Sequence, residues 1–281
     1  MKVLIFGGTG FIGKRVVKLL LEKGNRVIIF SHKRKLYEEK GVEYINGDIL
    51  DKNAIKEALD LDPDLVINLV GIIREIPKRG ISFKAMHFDA VEKLVNSLLD
   101  FNNNIPLIQM SANGVETGKD ITDYFKYKYK AEEKIKSSGL KYAIIRPSIV
   151  IGEDEGIVKD LSSILKFGIF PLPKINVKFS PIRVEVVAER IVGIAEDILK
   201  GKLESNVIKL CGEEEMNFRE LIEYIASINK KKVIFIPTPL LLFRIVAFLG
   251  DKFSFIPLNT TTLKMLLQGN ICSNNTNYVR Y

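Results

Sequence analysis

Three glycines stand at intervals of three in Gly7-Gly8-Thr9-Gly10-Phe11-Ile12-Gly13, and the chemistry open to them is anion binding by bare backbone amides. Gly7 allows a tight turn, Gly10 lets a phosphate approach the main chain, and Gly13 lets a helix pack closely on a strand. The apolar run Lys2 to Phe6 before them reads as a strand, and Lys14 to Lys23 after them as a helix. That order is what a dinucleotide pyrophosphate requires. The alternative is a tight turn in an ordinary βα unit; the strand before and the helix after favour the nucleotide. Thr9, Phe11 and Ile12 complete the loop as candidate cofactor contacts.

The elements that must position this loop recur along the chain. Short apolar runs at 2–6, 26–30, 43–46, 64–69, 106–111 and 141–146 alternate with periodic segments near 11–23, 51–60, 82–101 and 121–138. Near-continuous apolar strands such as Leu65 to Val70 fit burial on both faces. The expected fold is α/β: a Rossmann-type doubly wound parallel sheet over 1–152, with a smaller C-terminal α/β substrate lobe over 153–281, partly interleaved with the sheet. In the second half the rhythm changes and proline concentrates. Helices are expected near 158–167, 184–200, 217–229 and 239–249, with strands near 178–183, 206–210 and 232–236. The stretch from Gly269 to Tyr281, rich in asparagine, reads as a poorly ordered end.

Composition narrows the function classes. The 281 residues are 47% hydrophobic and 27% charged, as in globular proteins. With only Cys211, Cys272, His32 and His87, neither a disulfide framework nor a Cys/His zinc site is expected, and no metal site. No run of about 18 uncharged apolar residues is present, so no transmembrane segment is expected. Met1 leads straight into a core strand, which points to a cytoplasmic protein. The net charge of +8 is scattered among alternating acids, as in Glu132 to Lys136, and suits a phosphate-rich cofactor better than nucleic acid.

The second strand ends Ile28-Ile29-Phe30 and continues Ser31-His32-Lys33-Arg34. An acid at this place would bind the adenosine ribose of NAD; a hydroxyl followed by cations suits the 2′-phosphate of NADP, with NAD as the alternative. Lys33 and Arg34 as a solvated turn is the other reading. Asp48 and Ile49 after the third strand could reach the adenine, or one of the acids at 48–51 could cap a helix. Val70 and Gly71 close the fourth strand where the chain must pass near a cofactor.

These residues resemble the short-chain dehydrogenase/reductase superfamily in its extended and atypical branches. The carriers are Gly7 to Gly13, Gly47-Asp48-Ile49-Leu50-Asp51, Asn68 to Gly71, Met110-Ser111-Ala112, Tyr124 with Lys128, Arg146 to Gly152, Phe179 to Ala188, and Lys209 to Gly212. Within that group, the chain most resembles relatives of the nucleotide-binding accessory subunit of respiratory complex I, the stretch from Leu258 to Asn270 included. The resemblance implies Tyr124, Lys128 and Ser111 as catalytic residues, with Lys128 also on the nicotinamide ribose and Ser111 on the substrate oxygen. Residues i and i+4 share a helix face, and a nearby ammonium lowers a phenol pKa that starts near about 10, so Tyr124 could serve as general acid or base. For Ser111 a strand-end capping role is the alternative; Arg146 could meet a substrate phosphate or carboxylate bidentately, or pair structurally with a carboxylate. His87 stands where an asparagine is frequent and Ala112 where a second hydroxyl is frequent; His87 reads as a satisfied helix residue.

The segment 239–249 is apolar but interrupted by Arg244. It reads as a buried lobe helix ahead of a homodimer or partner surface, or a peripheral anchor on a membrane or respiratory complex through 240–249. Two functions follow: an NADP(H)-dependent oxidoreductase acting on a carbonyl, quinone or related small-molecule substrate, and a non-catalytic nucleotide-binding subunit or redox sensor. A nucleotide-sugar epimerase/dehydratase ranks lower, because 153–281 holds no recognisable diphosphate clamp.

Overall fold

The computed structural model describes residues 1–32, 40–153, 156–165, 168–228, 230–253 and 255–272. Lys33 and Arg34 lie outside the described residues, as does 273–281. Along the chain come β1 (Lys2–Phe6), α1 (Gly13–Glu22), β2 (Arg26–Ser31), β3 (Val42–Asn46), α2 (Lys52–Leu59) and β4 (Leu65–Asn68). A π-helical turn, Lys84–Asp89, then runs into α3 (Ala90–Phe101). They are followed by β5 (Leu107–Met110), α4 (Val115–Gly118), α5 (Asp123–Lys136) and β6 (Tyr142–Pro147).

Strands β3-β2-β1-β4-β5-β6 lie side by side in that order, each neighbouring pair parallel. The doubly wound sheet expected from the alternation of strands and helices is therefore present. β4 and β5 are buried throughout and β1 from Val3 onward, because helices cover both faces and leave no side to water. Leu4, Phe6, Ile28, Phe30 and Val66 form one core with Ile55 and Leu59 of α2 and Leu94 and Leu98 of α3. Each fully buried Leu, Ile or Phe contributes about 1.5–3 kcal/mol.

Beyond Arg146 the chain enters a second compact unit and later returns. The first unit comprises Met1–Arg146 and Val184–Lys209, the second Pro147–Arg183 and Leu210–Tyr281. The division thus falls at 146/147 rather than 152/153. In the second unit lie β7 (Val150–Gly152), α6 (Gly156–Leu165), β8 (Ile169–Pro173), β9 (Lys178–Phe179) and β10 (Ile182–Arg183). Helix α7 (Val184–Leu199) rejoins the first unit: it packs on α1, with Arg15 Nε 3.5 Å from Glu185 and Lys23 Nζ 2.6 Å from Glu196. Strand β11 (Asn206–Leu210) then takes the seventh place in the sheet, beside β6. Interleaving arises because the apolar face of α7 finds its partner on α1.

The second unit closes with β12 (Met216–Asn217), α8 (Phe218–Ile228), β13 (Ile234–Thr238), α9 (Leu240–Lys252) and α10 (Thr260–Gln268). Phe170, Phe179, Phe218, Leu221, Ile222 and Ile225 make its core. Three features of this unit depart from the sequence expectation. Cys211 and Cys272 form a disulfide, because the chain after α10 returns to the strand-end segment near Cys211. Residues 269–272 are built into the unit: Ser180 N donates to Asn270 O, Asn270 N donates to Lys178 O, and Cys272 is buried. Helix α9 is no buried lobe helix, since only Ala247 and Gly250 of its 13 residues are buried.

Candidate functional site

Because the strands run parallel, the loops after β1, β2, β3, β4 and β5 leave the same edge of the sheet. Chain order reverses direction between β1 and β4, and ligands of open α/β sheets bind at such a switch point. The glycine loop sits there. Gly7 has φ +81°, and a Cβ on it would lie 3.1 Å from the Leu69 carbonyl carbon and the Val70 nitrogen. A Cβ on Gly13 would lie 2.1 Å from the Gly7 carbonyl oxygen, so only glycine lets α1 start this close to β1. Gly10 N donates to Gly7 O at 3.0 Å, which curls the loop under the helix.

The N-terminus of α1 has no side-chain cap, unlike α2, which Asp51 caps, and α5, which Thr122 caps. Uncapped first-turn amides next to bare glycines fit a pyrophosphate anion. Thr9, Phe11 and Ile12 are half-buried around this loop. Arg15 stacks over the Phe11 ring at 5.0 Å and donates to the Phe11 carbonyl at 2.8 Å, which anchors the loop from below.

The other strand-end candidates fall into place unevenly. Ser31 is buried at the end of β2, with its carbonyl accepting from Gly47 N at 3.2 Å, and His32 beyond it is exposed. Asp48 is exposed after β3, but one of its oxygens already accepts from Leu50 N at 2.9 Å. The cap among the acids at 48–51 is Asp51, through Asn53 N. Ile49 points into the core, and Val70 packs against it. Gly71 is exposed beside the His87 ring, whose Cε1 would lie 3.4 Å from an added Cβ, with Lys128 Nζ at 3.9 Å.

Helix α5 presents Tyr124, Lys128 and Glu132 at intervals of four, all buried on one face. Tyr124 is enclosed by rings: His87 at 5.1 Å, Phe83 at 5.7 Å and Phe125 at 5.1 Å, each edge-on. Lys128 Nζ lies 5.4 Å from the centre of the Tyr124 ring and donates to Met110 O at 3.4 Å. Burial pushes the Lys128 ammonium down to about 8, against a smaller opposing pull from Glu132. The Tyr124 phenol is pushed up by burial, not down by the lysine as expected. The reason is geometric: the ammonium is stationed by the ring and the Met110 carbonyl in a desolvated place. His87 Nε2 is 2.9 Å from Ile72 O, and burial, reinforced by Lys128, holds the imidazole well below its ordinary value. It is therefore the satisfied neutral histidine that the sequence suggests.

Ser111 differs from the expectation of a substrate-facing hydroxyl. Its Oγ donates to Glu132 Oε1 at 2.5 Å, and Arg146 Nε donates to the same oxygen at 2.9 Å. Arg146 also pairs with Glu116 at 2.8 Å. Arg146 is thus the carboxylate-paired structural arginine. Glu132 is the residue sequence reasoning missed; its place four residues after Lys128 on the Tyr124 face was the available signal.

This architecture and its glycine cradle define a Rossmann-type dinucleotide-binding protein with the fold of the extended short-chain dehydrogenases/reductases. The chain belongs to the NAD(P)H-binding family, whose model matches residues 7–165. It is similar to the mitochondrial NADH dehydrogenase [ubiquinone] 1 alpha subcomplex subunit 9 of Arabidopsis thaliana, 29% identical over 78% of this chain and 56% of that protein. The subunit of the same name from Mus musculus is 25% identical over 92% of this chain and 69% of its own length. The chain therefore spans little more than half of the Arabidopsis relative. Among solved structures, the Bordetella bronchiseptica enzyme WbmG in complex with NAD superposes with a TM-score of 0.70, at 15% identity, over 97% of this chain and 90% of its own. Thermus thermophilus UDP-glucose 4-epimerase with NAD gives 0.68 at 21% identity, over 85% and 86%. These likenesses show the fold.

Proposed function

We propose that the first unit holds a nicotinamide dinucleotide as a bound component, and that the chain acts as a nucleotide-holding subunit or redox sensor rather than as a reductase. The observation that carries this is the hydrogen bond from Ser111 to Glu132. A hydroxyl whose single proton is given to a buried carboxylate has none left for a substrate carbonyl, and the next residue, Ala112, has no hydroxyl. In this reading Gly7 to Gly13 hold the pyrophosphate, Asp48 and Gly71 border the adenine and nicotinamide ends, and Lys128 donates to the nicotinamide ribose. Ser31, with Lys33 and Arg34 following it in sequence, favours the 2′-phosphate of NADP over NAD. The similarity to relatives named as subunits of a ubiquinone-linked NADH dehydrogenase supports a partner of respiratory type.

A second reading is favoured by the shared helix face of Tyr124 and Lys128. A bound nicotinamide dinucleotide supplies a hydride donor or acceptor. The phenol of Tyr124, kept neutral by burial, is a proton donor suited to a carbonyl or quinone oxygen. The distinguishing experiment adds NADPH and NADH to the purified chain with a panel of small carbonyls and quinones, alongside native mass spectrometry. The subunit reading expects a retained dinucleotide and no consumption. Steady consumption that falls about a hundredfold in Tyr124→Phe would install the reductase instead.

A further inference from the structure

Helix α9 is apolar on the side where a surface helix is ordinarily polar. Its packed side is formed by Phe243, Ala247 and Gly250; a Cβ on Gly250 would meet Leu258 O at 1.8 Å, which fixes that side against the chain leading into α10. The opposite side carries Leu241, Ile245, Phe248 and Leu249, which are 64%, 48%, 58% and 40% exposed. The apolar surface continues past the helix into Phe253 and Phe255, the latter 81% exposed, with their rings 5.8 Å apart. Thirteen residues span about 20 Å, too short to cross the roughly 30 Å core of a bilayer. No described helix is long and apolar enough to cross a membrane.

Charge decides among the occupants of this face. From Lys230 to Cys272 the chain carries Lys230, Lys231, Lys232, Arg244, Lys252 and Lys264 against one acid, Asp251. That acid is turned to the packed side, where its carboxylate accepts from Thr260 N at 3.0 Å. Lys252 lies on the outward side, its ammonium 4.9 Å from the centre of the Phe248 ring. A second copy of this chain would bring cation against cation. An apolar surface that carries Arg244 and Lys252, with Asp251 bonded to Thr260, is complementary to acyl chains beneath anionic headgroups.

We infer that α9, with the Phe253 and Phe255 side chains, docks the second unit on the interfacial layer of an anionic lipid bilayer, with the helix in the membrane plane. The inference stands apart from whether the dinucleotide is held or consumed. Its test is flotation of the full chain with vesicles of phosphatidylcholine alone and with phosphatidylglycerol added. Flotation is expected with the anionic vesicles and falls as salt rises. Leu241→Ser and Phe248→Ser each lower partitioning about tenfold, and Arg244→Gln and Lys252→Gln each about fivefold, on the anionic vesicles only. Because all four side chains point outward, circular dichroism and thermal midpoint serve as fold controls and stay unchanged. Absence of flotation with either vesicle overturns the inference, as does flotation unaffected by the serine substitutions. A lipid-free dimer that dissociates in the serine variants also overturns it, by showing a second copy on this face.

Discussion

The Ser111 hydroxyl and the Glu132 carboxylate are joined at 2.5 Å inside the first unit, tying the end of β5 to α5, and Arg146 of β6 donates to the same carboxylate. Three elements therefore share one buried anion. A hydrogen bond to a charged acceptor contributes about 1.5–3 kcal/mol, so Ser111→Ala should lower stability by that order in denaturant titration. Dinucleotide affinity should change less than a hydroxyl contact to ligand would require. Unchanged stability with lost affinity would place the hydroxyl on the ligand.

Glu132→Gln should be more damaging, because it leaves the buried Arg146 guanidinium short of its carboxylate. Breaking such a pair costs about 3 kcal/mol or more. Glu116, more exposed and 2.8 Å from Arg146, is an incomplete substitute. A fall in the urea midpoint with no change in slope is the expected signature.

Lys128 makes stability depend on pH in a defined window. Its folded value is about 8 against an ordinary 10.5. Between those values the unfolded chain keeps the proton that the folded chain releases, so stability rises with pH. Below about 8 both states are charged and the burial penalty stands in full. The ligand-free wild type should gain thermal midpoint from about pH 8 to 10 relative to Lys128→Met, which should lack that rise. Parallel profiles for the two proteins would contradict this.

The disulfide between Cys211 and Cys272 closes a separation of 61 residues. Removing it with Cys272→Ser should cost roughly 2–4 kcal/mol. The loss should match that of the wild type under reducing conditions, and a reducing agent should not affect the variant further. A reductant effect that survives in the variant would point to other chemistry.

The first unit was legible because its signals are local. Strands such as β4 open on an unbroken apolar run, Leu65 to Ile67, and the turn between β1 and α1 admits only glycine at Gly7 and Gly13. What escaped depends on partners distant in sequence. Glu132 gains its meaning from Ser111 and Arg146 at the ends of two strands, and Cys272 from Cys211, 61 residues away within the second unit. The amphipathic pattern of α7 announces a helix but not that α1 receives it. Strands of two residues, such as Lys178–Phe179 and Ile182–Arg183, are too short to show a period. In α9 apolarity was read as burial, the ordinary meaning of such a pattern, whereas the structure leaves that face outside.

The most direct test of the account is calorimetric titration of the purified chain with NADPH and NADH, beside Gly10→Val. Gly10 is exposed, and a Cβ there meets only the Gly7 carbonyl oxygen at 3.2 Å, so the substitution crowds the cofactor side of the loop more than the core. One saturable site per chain is predicted, tighter for NADPH, with affinity reduced about a hundredfold in Gly10→Val. Absence of binding by both dinucleotides, or equal binding by the variant, would contradict the account.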